Sequence, residues 1–71
     1  MQAREIRKLT KEEIIVHLDD AQRELFNLRQ DWYLGRLQDH NRLTEVKRDI
    51  ARLKTIMRER ELIEEIEGGA Q

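Results

Sequence analysis

The stretch Leu9-Thr10-Lys11-Glu12-Glu13-Ile14 decides how this chain of 71 residues folds. Thr10 precedes Glu13 by three positions, the spacing of a capping box, in which each side chain accepts a hydrogen bond from the other residue's otherwise free backbone N–H. Leu9 and Ile14 flank the pair as a hydrophobic staple. The two devices agree in register, so a helix starts here. Downstream, apolar residues recur at Ile14, Leu18, Ala21, Leu25, Leu28 and Trp32. Alternating steps of four and three put them on one helix face. Gly35, free to take a positive φ, ends that helix.

Asp39 and Asn41 then compete as N-caps of a second helix. Its stripe is Leu43, Val46, Ile50, Leu53 and Met57. The next residue in step is Arg60, where the seam breaks; Leu62, Ile63 and Ile66 continue off it, and Gly68-Gly69 close the helix. Two stripes of similar length joined by a short loop make an antiparallel helical hairpin. The expected fold is therefore all-α, a long two-helix hairpin with a short N-terminal helical segment anchored by Ile6. It forms one domain over residues 1–71: N-terminal segment 1–9, helix one 10–34, loop 35–40, helix two 41–66 and tail 67–71. Folding about the loop brings Trp32 near Leu43, Leu25 near Ile50 and Leu18 near Met57, with Trp32 plugging the hairpin end.

Composition agrees with helix: the chain has 3 Gly and no Pro. It also has no Cys, which removes disulfides, thiolate metal sites and a Cys nucleophile, and suits a reducing compartment. The longest aliphatic run, Ile14-Ile15-Val16, is far short of a membrane span, and Met1–Glu5 lacks the apolar core of a signal peptide. So small a chain buries little apolar surface, and stability must come from good helix packing or from a partner.

The formal charge is −1, which taken alone argues against nucleic acid. Along the chain it divides into −1 over residues 1–28, +4 over 29–60 and −4 over 61–71. On the second helix Arg48 and Arg52 are one turn apart and point away from the seam, with Lys47 and Lys54 on a flank of that face. Arg42 belongs to the same run of seven bases between residues 42 and 60. Such a row fits closely spaced phosphates. Charge alone fits better a solvated surface laced by Glu45–Arg48 and Asp49–Arg52 pairs.

Ile15, Val16, Phe26, Tyr33, Ile56 and Ile63 fall off the seam, and a hairpin has one internal interface. Ile15, Val16, Phe26 and Ile56 are the candidate face for a protein partner. Catalytic and metal-ligating constellations are missing from the pattern: His17 follows Glu13 by one turn without a second such pair, and Asp19-Asp20 lacks a calcium-loop pattern. No catalytic residue, metal, cofactor or small-molecule substrate is expected. His40, beside Asp39 in the loop, is a turn residue or a phosphate contact.

Phe26-Asn27-Leu28-Arg29, Gly35-Arg36-Leu37 and Val46-Lys47-Arg48-Asp49-Ile50-Ala51-Arg52-Leu53-Lys54-Thr55 resemble, in order and spacing, the bacterial large-subunit ribosomal protein twenty-nine family. That family's fold is a long antiparallel α-hairpin. The resemblance implies a structural protein that binds ribosomal RNA at the rim of the polypeptide exit tunnel, in the cytoplasm, beside other ribosomal proteins with which it receives trigger factor and the signal recognition particle. It carries RNA contact to Arg29, Gly35, Arg48 and Arg52. With phosphate contact as the expected mode, Gly35, Arg36 and Gln38 of the loop join the RNA-facing set with His40, Arg42, Lys47 and Lys54. This chain departs from the family in Arg36, where a Gln is usual, in the large Trp32-Tyr33, and in its acidic tail. The competing readings are a free helical adaptor that homodimerises into a four-helix bundle, and a small helical enzyme of the chorismate mutase type, which would need Arg on the seam.

Overall fold

Each end of the first long helix is closed by a device visible in the chain. A computed structural model describes residues 1–69 and contains α1 (Ala3–Arg7), α2 (Lys11–Tyr33) and α3 (His40–Gly69). At the start of α2 the Glu13 N–H donates to the Thr10 hydroxyl at 3.1 Å, and the Thr10 N–H donates to the Glu13 carboxylate at 3.0 Å. At its end the Arg36 N–H donates to the Asp31 carbonyl and the Gly35 N–H to the Trp32 carbonyl. These are the two nested bonds of a Schellman motif, with Gly35 at φ 71°.

Asp39, not Asn41, caps α3, accepting from the Asn41 N–H at 3.0 Å and the Arg42 N–H at 3.4 Å. His40 is thus the first helical residue rather than the last of the loop. At the other end α3 runs on through Gly68 and Gly69, past the stop expected at residue 66. The last two residues of the expected tail, Ala70 and Gln71, lie outside the described residues.

α2 and α3 pack as an antiparallel hairpin in a rod 55 × 19 × 16 Å. Among the described residues the buried ones are Ile6, Ile14, Val46, Ile50, Leu53 and Ile56. Four of them, Ile6, Ile14, Leu53 and Ile56, form one cluster ringed by Ala3, Leu9, Leu18, Ala21 and Met57. The core therefore sits at the end of the hairpin away from the loop.

α1 completes that core. Five residues are too few for a helix to stand alone. Burial of Ile6, which stabilises by roughly 1.5–3 kcal/mol, holds it on α3. Arg60 adds to this: its Nη2 donates to the Arg7 carbonyl at 3.0 Å and to the Ile6 carbonyl at 3.5 Å, satisfying the C-terminal carbonyls of α1. The charge that interrupts the apolar seam is thereby a cap for another element.

Two expectations are corrected. Ile56 is 3% exposed and cannot serve as a partner face, because α1 lies across it. Trp32, in step with the seam, is 60% exposed and does not plug the hairpin end. The buried cluster gathers where three helices meet, and at the loop end only two are present.

Candidate nucleic-acid interface

The hairpin has two flanks of opposite character. On one, α2 contributes Gln22, Phe26, Arg29 and Tyr33, at steps of four, three and four. α3 contributes His40, Leu43, Lys47, Ile50 and Lys54, at steps of three and four. The α2 row lies beside the buried stripe of its helix, while the α3 row takes in one edge of the stripe, Leu43 and Ile50, with the bases outside it. Gln22, Leu25, Phe26, Arg29, Lys47, Ile50 and Lys54 surround one open hollow. Nearer the loop, Arg29, Trp32, Tyr33, His40, Leu43 and Lys47 surround a second. Arg29 and Lys47 belong to both, so the hollows form a continuous surface, and no carboxylate lines either. Arg29, Lys47 and Lys54 form no ion pair with any carboxylate of the described residues.

The opposite flank is mixed in charge. His17, Asp20, Ala21 and Glu24 of α2 face Arg42, Asp49 and Leu53 of α3. Towards the loop come Leu28, Asp31, Arg36, Leu37, Gln38 and Asp39, again with Arg42. Two of the cations here, Arg42 and Arg52, are already engaged. The Arg42 Nε and Nη2 both donate to the Glu24 carboxylate, the latter at 2.6 Å, and Nη1 donates to Glu45 at 3.4 Å. Hydrogen bonding to Glu24 raises the Arg42 pKa. Arg52 donates to the Met1 carbonyl at 3.1 Å and lies 3.7 Å from Asp49, which also accepts from the Met1 amino group at 3.1 Å.

The structure thus sorts the candidate RNA-facing residues. Arg29, His40, Lys47 and Lys54 come together on the carboxylate-free flank. Gly35 shapes the turn, and Arg36 and Gln38 open towards the mixed flank beside Asp31 and Asp39. Arg42 is taken by Glu24 across the hairpin, and Arg52 pairs with Asp49 one turn before it, as the solvated-surface reading of the row expects, and donates to the Met1 carbonyl. Arg48 is exposed and unpaired among the described residues; its expected partner Glu45 turns to Arg42 instead.

Of the candidate partner face, Ile15 and Val16 are exposed, and Phe26, 62% exposed, lies among the bases of the first hollow. Reading each helix separately missed this grouping of rings with cations. The signal was present in the two rows beside the seams, once set antiparallel. Among the described residues no group of three or more His, Asp and Glu side chains is placed to hold a metal ion, and no helix is long and apolar enough to cross a membrane.

Fold and flank define a class: a two-helix rod that displays unpaired cations and exposed aromatic rings along one side. The chain belongs to the Ribosomal L29 protein family, which it matches over residues 4–60, and it is a structural protein rather than an enzyme. The large ribosomal subunit protein uL29 of Thermosipho melanesiensis is 52% identical over 62 residues, covering 87% of this chain and 94% of the relative. That of Corynebacterium glutamicum is 48% identical over 69 residues, covering 97% and 91%. That of Streptomyces coelicolor is 52% identical over 66 residues, covering 92% and 89%. The family match ends at Arg60, the residue that caps α1.

Proposed function

We propose that this chain is a structural constituent of the large ribosomal subunit, in the cytoplasm, that binds ribosomal RNA near the polypeptide exit tunnel and helps form the docking area for nascent-chain factors such as trigger factor and the signal recognition particle. Family membership supports the ribosomal role. The observation that carries RNA binding is the carboxylate-free flank on which Arg29, Lys47 and Lys54 stand unpaired. Unpaired cations carried on a helical hairpin neutralise phosphates and release counterions, which positions the rod on folded RNA with little reading of sequence. The mixed flank, where Arg42 and Arg52 are engaged internally, and the exposed Ile15 and Val16 are left for protein neighbours. Burial of Ile56 removes part of the surface that a homodimeric four-helix bundle would use.

The test is cosedimentation of the tagged chain with large ribosomal subunits at moderate salt. Cosedimentation that is weakened in the Lys47→Ala/Lys54→Ala double variant is expected. Failure of the unmodified chain to cosediment overturns the reading.

A further inference from the structure

The second hollow contains features that phosphate binding does not require. Trp32 is 60% and Tyr33 88% exposed, in a molecule that buries few residues of its own. Two large rings left in water at the end of a helix cost apolar contact that a buried position would supply. They are not at a loose end: the Schellman bonds fix the last turn of α2, and Asp39 fixes the first turn of α3. The rings are therefore presented by a rigid frame. Half-buried Leu43 gives the hollow an apolar wall, and His40 adds a further flat side chain. Arg29 lies one turn before Tyr33, and Lys47 one turn after Leu43, so a cation flanks the rings on each helix.

A planar, apolar-faced ligand that carries anions on both sides satisfies all of this at once. A nucleobase in an RNA strand is such a ligand. Inside an A-form duplex the faces of the bases are stacked away and only edges and backbone are offered. An unpaired base can turn out and stack on an aromatic ring. We propose that the hollow between Trp32, Tyr33, His40 and Leu43 receives one unstacked nucleobase, with Arg29 and Lys47 on the phosphates that flank it. This rests on the RNA-binding reading and adds to it the kind of RNA bound: a bulge or loop rather than uninterrupted helix.

Trp32 is the only tryptophan of the chain, so its emission reports on the hollow directly. The purified full chain is titrated with three labelled hairpin RNAs of equal length. One carries a single bulged adenosine, one an abasic bulge, and one is fully paired. The bulged adenosine is expected to quench Trp32 and to bind on the order of tenfold more tightly than the other two. Trp32→Leu, with unchanged helical circular dichroism, is expected to abolish that preference while retaining the common affinity. Trp32→Tyr should preserve most of the preference, and Lys47→Ala should weaken all three RNAs alike. Equal binding of the three with no change in emission overturns the nucleobase site and leaves RNA binding standing. Binding of none overturns both. A concentration-dependent change in Trp32 emission without RNA would assign the hollow to a second copy of the chain, and overturns the proposal as well.

Discussion

Arg42 of α3 reaches across the hairpin and grips Glu24 of α2 with two nitrogens of its guanidinium. The pair joins the helices on the flank opposite the free cations, and it takes from the RNA-facing set a residue that position alone would include. Both side chains remain partly exposed, so the contribution to stability is modest, about 0.2–1 kcal/mol. Arg42→Ala is expected to lower stability by no more than that and to reduce RNA affinity less than Lys47→Ala does. Urea denaturation together with RNA titration at fixed salt checks both statements.

Ile6 and Ile56 meet in the buried cluster although fifty positions separate them. Removing either leaves a void with no neighbouring segment to fill it. Ile6→Ala and Ile56→Ala should each cost about 2–5 kcal/mol, whereas Ile15→Ala and Val16→Ala, at exposed sites, should stay within about 0.5 kcal/mol. Thermal unfolding followed by circular dichroism distinguishes the two groups. Equal effects would mean that α1 does not dock.

Gly35 has a φ of 71°, and a Cβ built on it would touch nothing within 4 Å. Space is available; only the backbone conformation resists a side chain. Gly35→Ala is therefore expected to cost about 1–2 kcal/mol and Gly35→Asn less, since Asn tolerates the left-handed region better. Unfolding midpoints in urea give the order.

Hydrogen bonding from Thr10 holds the Glu13 carboxyl below the usual carboxylate range. A carboxyl whose pKa is depressed on folding contributes stability above its unfolded pKa and loses it as pH falls through the folded one. The unmodified chain should accordingly lose more stability on acidification than Glu13→Gln, whose amide oxygen still accepts from Thr10 and does not titrate. Thr10→Ala should cost about 1 kcal/mol at neutral pH. Thermal unfolding of the three proteins from neutral to acid pH measures the differences.

Glu61, Glu64, Glu65 and Glu67 extend α3 beyond the family match and carry no base among them. Like charge repels phosphate, so replacing Glu64, Glu65 and Glu67 with Gln should leave RNA affinity unchanged or raise it, most visibly at low salt. A loss of affinity with helicity retained would show that the acidic turn takes part in binding.

The helices and their ends are written locally. A capping box spans four residues, a Schellman turn six, and a helical stripe repeats every three or four, so Thr10, Glu13, Gly35 and the seam from Ile14 to Leu28 were legible along the chain. The resemblance in the Val46–Thr55 segment was legible in the same way, because it is a matter of order and spacing. What the linear pattern does not contain is which side of one helix meets which side of another. Trp32 keeps the seam's rhythm yet stays in water because no third helix reaches the loop end. Ile56 breaks the rhythm yet is buried because α1 folds over it, and Arg60 interrupts the seam in order to cap that same segment. Arg42 and Lys47 are both bases of one helix, but one faces Glu24 and the other a row without carboxylates. Burial and free charge are properties of the assembled surface, set by contacts between residues far apart in sequence, and packing alone assigns them.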